Sequence, residues 1–527
     1  MRLTNEQKCI LQYVKNYPGK HFKVKAYAGT GKTTMCKCLC RELMHEPGIL
    51  YLAFNKSLKT EADRTWAKSF DNLHCYTFHG QAFRVMVKRG YDCKGADNKV
   101  IMRHLFEKGI VPGSDYSNVW GVINTIRAFC NDNCDEVKES HVLNVANIKA
   151  DMTLEVDPFD ARRAYWKEAA QKYWILLKDN GIKELTYDTM LRLYVEGEDL
   201  GIEKYSTIMV DEAQDVNPCM LKFIRKAMDS SRLILVGDSF QQIYGFTGAD
   251  DSLSAFDSDC DNINMYLSQT FRGGHKIAEA GDAIINVLKK KGDVPFKSAG
   301  INDTRLIPFF YKGAEGEDCI NSIVEEEDSM TVITRTNSQI IHFLETRLRH
   351  LEIDLDFKVS FNVQEVLEEA DKIQNFIRGI SKSYRGFRNV DEFMCMATQS
   401  RLTDLPCVWL PKIIIREYWD RIKELLLHAK ESYETARVEL TTVHKAKGRE
   451  WDNVMLYGDY LACEGSRPSE EEIRIFYVAL TRARQKLFYP EHISFQRSSE
   501  DYMDYIRSLN RGEKSNEAVI KSYMDFC

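Results

Sequence analysis

A stretch near the N-terminus decides the fold of the chain: Ala26-Tyr27-Ala28-Gly29-Thr30-Gly31-Lys32-Thr33-Thr34. Residues 21–28 resemble a short strand, and residues 32–43 resemble the start of a helix. In a strand–loop–helix setting, glycines let backbone N–H groups close around phosphate oxygens. Lys32 then reaches the β- and γ-phosphates of a nucleoside triphosphate, and the Thr33 hydroxyl ligates Mg²⁺. The stretch therefore predicts a phosphate-binding loop (P-loop) in an α/β protein.

A pair of carboxylates follows a second strand-like run, residues 207–210. Asp211 can hold Mg²⁺ through water, and Glu212 can orient and deprotonate the attacking water. A further apolar run, residues 233–236, leads into Asp238, with Gln241 just beyond. Apolar runs of this kind are typical of a parallel sheet that helices cover on both faces. Together with the P-loop, these residues predict an ATPase.

Further short motifs in a fixed order carry a resemblance to a known family. They are Gln7 (the adenine-reading Q motif) and the segments 50–57 (motif Ia), 77–80 (Ib), 236–246 (III), 267–272 (IV), 442–451 (V) and 477–483 (VI). The set resembles superfamily 1 DNA helicases of the UvrD/Rep/PcrA type. The sequences of motifs Ia and III are most similar to those of the F-box DNA helicase branch and its phage relatives. No F-box is expected, because the chain begins at the Q motif.

The resemblance implies an α/β fold with two RecA-like P-loop motor lobes, each containing a parallel sheet and a mainly helical insertion. The implied segments are 1–84 and 186–262 for lobe 1, 85–185 for its insertion, 263–354 and 436–527 for lobe 2, and 355–435 for a shortened second insertion. The spacing of apolar residues predicts helices at 119–129 and 161–177. A strand is predicted at 330–334.

The resemblance also implies roles around bound ATP and Mg²⁺. Arg272 and Arg482 are expected to reach the γ-phosphate from the second lobe, and Gln241 is expected to sense it. A planar, permanently charged guanidinium suits charge that spreads over phosphate oxygens. Thr33 and Asp211 are the expected metal ligands. The other implied nucleotide contacts are Gln7, Ala28, Gly29, Thr30, Gly31, Lys32, Thr33, Thr34, Phe271 at the adenine and Glu450 at the ribose.

A track for single-stranded DNA is implied on the same grounds. Aromatic side chains stack on bases of any sequence, with about 1–3 kcal/mol per base. The expected contacts are Asn55, His79, Tyr244, Phe246, Thr442 and His444. The implied function is an ATP-dependent helicase that moves 3′→5′ on single-stranded DNA, engages junctions of single and double strands, and unwinds duplex by lobe closure.

Two other functions remain open on the sequence. The first is a DNA-stimulated ATPase or translocase that serves as sensor or switch subunit for a partner nuclease in repair or defence, with little unwinding of its own. The second is a DNA-binding scaffold built on an inactive motor. The complete set of motor residues, from Lys32 to Arg482, disfavours this scaffold.

Composition excludes few of these functions. The 527 residues carry a formal net charge of −6, which argues against a wholly basic wrapper of nucleic acid. The 72 Lys and Arg residues can still form a local basic channel. No apolar run approaches the ~20 residues of a membrane span, and the N-terminus lacks a signal-peptide core. We expect a soluble cytoplasmic protein without a membrane partner, nucleoid-associated if bacterial and in the host cell if viral.

The 15 cysteines are predicted to be mostly small buried hydrophobic residues with free thiols. Cys130 and Cys134 form a spaced pair, but the sequence offers no matching second pair for a four-ligand metal cluster.

Overall fold

A computed structural model describes residues 3–93, 95, 98–112, 116–142, 158–243, 253, 262–290, 293–310, 313–349, 357–384, 389–399, 406–415, 419–431, 436–461, 463–464, 467–491 and 493. The chain divides into two compact units. The first unit contains Met1–Tyr27 and Gly31–Leu267, and the second contains Ala28–Thr30 and Ser268–Cys527.

The strands are numbered in chain order: β1 (His21–Ala26), β2 (Ile49–Ala53), β3 (Leu73–Thr77), β4 (Asp92–Cys93), β5 (Glu184–Leu185), β6 (Thr207–Asp211), β7 (Arg232–Gly237), β8 (Asn262–Leu267), β9 (Gln269–Thr270), β10 (Lys297–Ser298), β11 (Arg305–Phe309), β12 (Met330–Thr334), β13 (Phe357–Val359), β14 (Val438–Thr442), β15 (Trp451–Tyr457), β16 (Cys463–Glu464), β17 (Arg467–Pro468) and β18 (Ala483–Pro490).

The α-helices are numbered in the same way: α1 (Asn5–Asn16), α2 (Lys32–Glu42), α3 (Lys56–Thr65), α4 (Phe78–Lys88), α5 (Asn98–Glu107), α6 (Tyr116–Asn131), α7 (Pro158–Lys178), α8 (Tyr187–Glu196), α9 (Pro218–Met228), α10 (His275–Ile285), α11 (Gly313–Glu326), α12 (Asn337–Arg349), α13 (Val363–Ile377), α14 (Val390–Gln399), α15 (Pro406–Ile414), α16 (Trp419–Glu431), α17 (Val443–Ala446) and α18 (Glu470–Leu480).

The first unit is built on a parallel sheet with the strand order β3-β2-β6-β7-β1-β8. Every residue of β2, β6 and β7 is buried, as expected for a sheet with helices on both faces. Alternate residues of β2 enter different cores: Leu50 and Leu52 join one, and Ile49, Tyr51 and Ala53 join the other. The predicted strands at 207–210 and 233–236 are confirmed.

The second unit has its own parallel sheet, in the order β11-β18-β15-β12-β14-β13. The predicted strand at 330–334 is β12. The predicted helices at 119–129 and 161–177 lie inside α6 and α7 of the first unit. Strand β8 pairs with β1 in the first sheet, and the second unit resumes at Ser268. The predicted lobe bounds stay a prediction. The predicted α/β class is confirmed.

Parallel strands bring their carboxyl ends to one edge of a sheet, and this edge positions the candidate site of the first unit. The segments that follow β1, β2, β3, β6 and β7 carry the P-loop lysine, Asn55, His79, Glu212 and Asp238, respectively. Among the described helices, none combines the length and the apolar character that crossing a bilayer requires.

Candidate nucleotide and nucleic-acid sites

The P-loop turns into α2 through left-handed glycines. Gly29 has φ +69° and Gly31 has φ +84°, a region that glycine adopts without steric cost. Gly31 is the N-cap of α2 and has no side chain to cap the helix, so no capping side chain competes with an anion for the backbone N–H groups of the first turn. Lys32 Nζ lies 3.7 Å from Glu212 Oε1, and both side chains are largely buried. Thr33 is exposed and Thr34 is half-buried in the first turn.

Asp211 is the last residue of β6 and Glu212 follows it, and Tyr51 fixes the side chain of Asp211. The Tyr51 hydroxyl donates to Asp211 Oδ2 at 2.6 Å, and the Glu212 N–H donates to Asp211 Oδ1 at 2.9 Å. Burial, followed by repulsion from the Glu212 carboxylate, raises the pKa of Asp211 above its usual range. A nearby cation would offset that cost. Asp211 therefore fits the role of a Mg²⁺ ligand, since carboxylate and hydroxyl oxygens are the ligands that Mg²⁺ prefers.

Glu212 adopts a left-handed backbone conformation with φ +52°, which is strained for a residue with a side chain. Gln214 holds its carboxylate: Gln214 Nε2 donates to Glu212 Oε2 at 2.7 Å and to Asp215 Oδ2 at 3.3 Å. The Gln214 amide can sit only this way round, because its Oε1 accepts a hydrogen bond from the Asp238 N–H at 2.9 Å. Gln214 is fully buried. It therefore links the end of β6 to the end of β7.

Asp238 continues this chain of hydrogen bonds to Gln241. Gln241 Nε2 donates to Asp238 Oδ2 at 2.7 Å, and the Phe240 N–H donates to Asp238 Oδ1 at 3.1 Å. Burial raises the pKa of Asp238 to about 6, against the opposing effects of the Lys32 charge and the Gln241 hydrogen bond. The predicted γ-phosphate sensor is thus connected to the predicted general base through Asp238 and Gln214.

The two predicted arginines of the second unit are both engaged by that unit. Arg272 Nε donates to Glu450 Oε2 at 2.5 Å, and its Nη1 donates to the Thr481 carbonyl at 3.2 Å. Arg482 is buried and donates to the Val478 carbonyl, the Arg449 carbonyl and the Thr481 hydroxyl. Glu450, the expected ribose contact, is therefore an ion-pair partner of Arg272 in this structure.

Residues Ala28–Thr30 of the P-loop belong to the second unit by their contacts. The Phe271 N–H donates to the Gly29 carbonyl at 2.9 Å, and the Ala28 N–H donates to the Tyr477 hydroxyl at 3.1 Å. A Cβ at Gly29 would lie 2.6 Å from Thr270 Oγ1 and 2.7 Å from Arg272 Cβ. Glycine is required at position 29 for this close approach as well as for its φ.

Gln7 has a clear structural role in α1. Its side-chain Oε1 accepts from the Thr4 N–H at 3.0 Å, and Thr4 Oγ1 accepts from the Gln7 N–H at 3.1 Å. This reciprocal pair is a capping box at the start of the helix. The predicted contact of Gln7 with adenine stays a prediction.

Two of the predicted nucleic-acid residues, Asn55 and His79, lie shortly after the ends of β2 and β3. Asn55 is exposed and caps α3 by accepting from the Leu58 N–H at 2.9 Å. His79 lies in the first turn of α4, edge-on to the Tyr187 ring at 6.0 Å. Burial lowers the pKa of His79, so the ring is neutral at pH 7 and suits hydrogen bonding or stacking rather than an ion pair with phosphate. Tyr244 and Phe246 lie outside the described residues.

Two sets of candidate residues lie at opposite edges of the second sheet. Thr442 ends β14 and is followed by His444 in α17, at the carboxyl edge. Glu450 and Arg482 directly precede β15 and β18, at the amino edge. The intervening strands have about 3.3 Å rise per residue. The second sheet therefore separates the arginine residues from the predicted nucleic-acid residues by the length of its strands.

A group of metal-ligand types lies elsewhere in the first unit: Asp132, Cys134 and His141, with ligand atoms within 4.8 Å of one another. His141 Nδ1 accepts from the Lys138 N–H at 2.8 Å, so the ring proton sits on Nε2 and points to Asp132 Oδ2 at 2.9 Å. A metal ligand must offer a free ring nitrogen. Hydrogen bonding accounts for this group.

Comparisons with known proteins agree with the geometry. A family model described as the UvrD/REP helicase N-terminal domain matches residues 3–261, and one described as the UvrD-like helicase C-terminal domain matches residues 418–493. The chain belongs to the UvrD-like helicase family. The two parallel-sheet units are accordingly the two RecA-like lobes of this family.

Individual relatives extend the comparison along most of the chain. F-box DNA helicase protein 1 of Schizosaccharomyces pombe is 27% identical over 93% of this chain and 58% of its own length. F-box DNA helicase 1 of Gallus gallus is 26% identical over 92% of this chain and 49% of its own length. A probable DNA helicase of Mycoplasma pneumoniae is 24% identical over 88% of this chain and 78% of its own length. The chain thus spans about half the length of the two F-box relatives, whose names match the predicted branch.

The sequence interpretation missed Tyr51 and Gln214 in the candidate nucleotide site, and it named Asp238 without giving it a role. Asp238 stands inside motif III and Gln214 lies two residues after Glu212, so their positions near Gln241 and Glu212 in sequence were the available signal. Tyr51 gave no such signal, because its contact with Asp211 spans 160 residues of sequence.

Proposed function

We propose that this chain is an ATP-dependent DNA helicase that moves 3′→5′ on single-stranded DNA and unwinds duplex by coupling ATP hydrolysis to lobe closure. The observation that carries the proposal is the convergence of Lys32, Glu212 and Gln241 at one sheet edge in a member of the UvrD-like helicase family. ATP hydrolysis needs a lysine at the phosphates and a residue that positions the attacking water, and Lys32 and Glu212 are our candidates for these two groups.

Each residue has a proposed part in hydrolysis. The backbone donors of residues 29–33 and Lys32 bind the phosphates, and Thr33 and Asp211 hold Mg²⁺, which neutralises charge on the β- and γ-phosphates. Glu212 accepts a proton from the attacking water, and Gln214 orients the Glu212 carboxylate for that task by donating to Oε2. Gln241 contacts the γ-phosphate from the end of β7.

The second lobe is proposed to supply charge stabilisation from Arg272 and Arg482. In this structure Arg272 is paired with Glu450, so an incoming triphosphate competes with that carboxylate for the guanidinium. Phe271 stacks on adenine, Gln7 reads its edge, and Glu450 turns to the ribose. Each of these roles follows the family resemblance.

Coupling to movement is proposed to run along the second sheet. Arg272 and Arg482 change their contacts with the nucleotide at the amino edge of this sheet. Thr442 and His444 bind nucleic acid at its carboxyl edge. Asn55, His79, Tyr244 and Phe246 supply the track of the first lobe. Alternating grip on the two lobes yields directed steps, a consequence that domain closure permits.

We also propose the predicted division of the chain. Lobe 1 comprises residues 1–84 and 186–262, with residues 85–185 as its insertion. Lobe 2 comprises residues 263–354 and 436–527, with residues 355–435 as a shortened insertion. Helices α5, α6 and α7 make up most of the described part of the first insertion, and α13 to α16 make up most of the second.

Strand separation on tailed duplexes tests the function. Purified protein is mixed with duplexes that carry a 3′ or a 5′ single-stranded tail, with and without ATP, and Lys32→Ala serves as the matched inactive control. The proposal expects ATP-dependent unwinding of the 3′-tailed duplex only. Unwinding of the 5′-tailed duplex alone would overturn the polarity. Rapid ATP turnover without strand separation would instead favour the sensor or switch subunit of a nuclease partner.

A further inference from the structure

A group of basic side chains lies on the first unit at the sheet edge opposite to the nucleotide residues. It consists of His74 on β3, Arg84 and Lys88 on α4, and Lys204 shortly before β6, and we call it the basic cluster. His74 and Lys204 lie where parallel strands begin, and α4 returns from the carboxyl edge so that Arg84 reaches the Tyr205 hydroxyl at 3.5 Å. The basic cluster is therefore separate from Glu212 and Asp238, which lie where strands end.

Aromatic rings hold these basic side chains close together. Burial, followed by the charges of Lys204 and Arg84, lowers the pKa of His74, so the charged members of the basic cluster are Arg84, Lys88 and Lys204. Lys204 Nζ lies 3.3 Å from His74 Nε2 and 4.8 Å from the centre of the Tyr205 ring. The Arg84 guanidinium lies over the Tyr76 ring at 5.2 Å. Burial, followed by the charges of Arg84 and Lys88, lowers the pKa of Lys204. Like charges are thus held near one another at an energetic cost.

Carboxylates do not offset this cost. Among the described residues, no carboxylate forms an ion pair with Arg84, Lys88 or Lys204; Asp63 is paired with Lys59, and Asp199 with Arg89. The buried Arg84 Nε and His74 Nδ1 also lack a hydrogen-bond partner in the described part of the chain. An external anion would supply the missing negative charge.

We propose that the basic cluster binds the sugar–phosphate backbone of a nucleic-acid segment outside the strand that the motor residues hold. The proposal rests on the proposed nucleic-acid function and adds a second surface to it. Phosphates fit better than a single small anion because the exposed Lys88 and Lys204 and the forked Arg84 guanidinium offer several separate donors. Repeated phosphates along a backbone can meet several donors at once.

The salt dependence of binding tests the proposal on the full chain. The double variant Lys88→Gln with Lys204→Gln is compared with a control, Lys108→Gln with Lys172→Gln, which removes two exposed lysines outside the cluster. Fluorescence anisotropy measures binding to a short single strand, to a long single strand, and to a duplex with the short strand as its tail. A labelled polyglutamate peptide is the fourth probe.

For the cluster variant, the slope of log K against log salt should fall by about 1.4 on the long single strand or by about 1.8 on the duplex, since each lost phosphate contact contributes ~0.7 or ~0.9. The substrate that shows the loss identifies the bound segment. Slopes equal to those of the control on all nucleic acids would overturn the proposal. Loss of polyglutamate binding with unchanged DNA binding would also overturn it, and would assign the cluster to an acidic protein.

The proposed function fails separately. Its failure appears as absence of DNA-stimulated ATP turnover in the unmodified protein, whereas the basic cluster is judged by binding alone. The cluster variant should keep the short-strand binding and the ATP turnover of the control.

Discussion

The change Gln214→Met removes the buried amide that joins Glu212 to Asp238 and keeps a side chain of similar length. Three hydrogen bonds disappear: those from Nε2 to Glu212 and Asp215, and the one that Oε1 accepts from the Asp238 N–H. The Asp238 N–H is then buried without an acceptor, and the Glu212 carboxylate loses its orienting donor.

The magnitude follows from the contacts. A buried donor left unsatisfied costs about 1–3 kcal/mol of folding free energy. A hydrogen bond to a charged group contributes about 1.5–3 kcal/mol. Since an increase of ~1.36 kcal/mol in the activation barrier lowers the rate tenfold, misplacing the Glu212 carboxylate should lower kcat by roughly 10–100-fold. KM for ATP should change little, because Gln214 has no predicted contact with the nucleotide.

The assay is steady-state ATP turnover with saturating single-stranded DNA, together with thermal unfolding. Gln81→Met is the matched control, because Gln81 is also fully buried and donates to the Leu200 and Gly201 carbonyls away from the nucleotide residues. Both variants should lose stability, and only Gln214→Met should lose kcat. Equal kcat in the two variants would refute the positioning role of Gln214.

Three further changes test the site. Tyr51→Phe removes the hydroxyl that donates to Asp211 at 2.6 Å. The Mg²⁺ concentration for half-maximal ATP turnover should rise about 10-fold, because a metal ligand that loses its hydrogen-bonding partner binds the metal less tightly. An unchanged Mg²⁺ titration would contradict this. The folded-state pKa of Asp238 is raised to about 6, so ionisation of Asp238 destabilises the folded protein as pH rises from about 4 to 6. The free energy of unfolding of Asp238→Asn should therefore rise relative to that of the unmodified protein across that window, by on the order of 2–3 kcal/mol. A difference in unfolding free energy that does not depend on pH would contradict this. Arg482→Lys loses the buried hydrogen bonds of the guanidinium and should destabilise the second unit by about 1–3 kcal/mol in urea unfolding, and an unchanged transition would show that these bonds contribute nothing.

Local sequence predicted most of the fold and, in the candidate site, the P-loop and the carboxylates at the end of β6. Residues adjacent in sequence specify the P-loop, β6 with Asp211, and β12, so a short segment was enough to predict each of them. Strand β8 overlaps the start of motif IV in sequence and pairs with β1 of the first sheet. Strand pairing is a tertiary choice that a single strand sequence does not specify.

Contacts between distant segments could not be predicted. Arg272 and Glu450 are 178 residues apart, and their ion pair gives both side chains a partner that the motif roles did not include. Gln7 illustrates the opposite case. The pattern Thr4-x-x-Gln7 is itself a local signal for a capping box, and the sequence interpretation had used Gln7 only for adenine.

The central claim is that Glu212 activates water for ATP hydrolysis at the carboxyl edge of the first sheet. ATP turnover by Glu212→Gln in the presence of single-stranded DNA tests it most directly, with DNA affinity measured on the same sample. The account predicts a loss of turnover of about 10²–10⁴-fold with DNA binding close to that of the unmodified protein. Unchanged turnover by the variant would contradict the account.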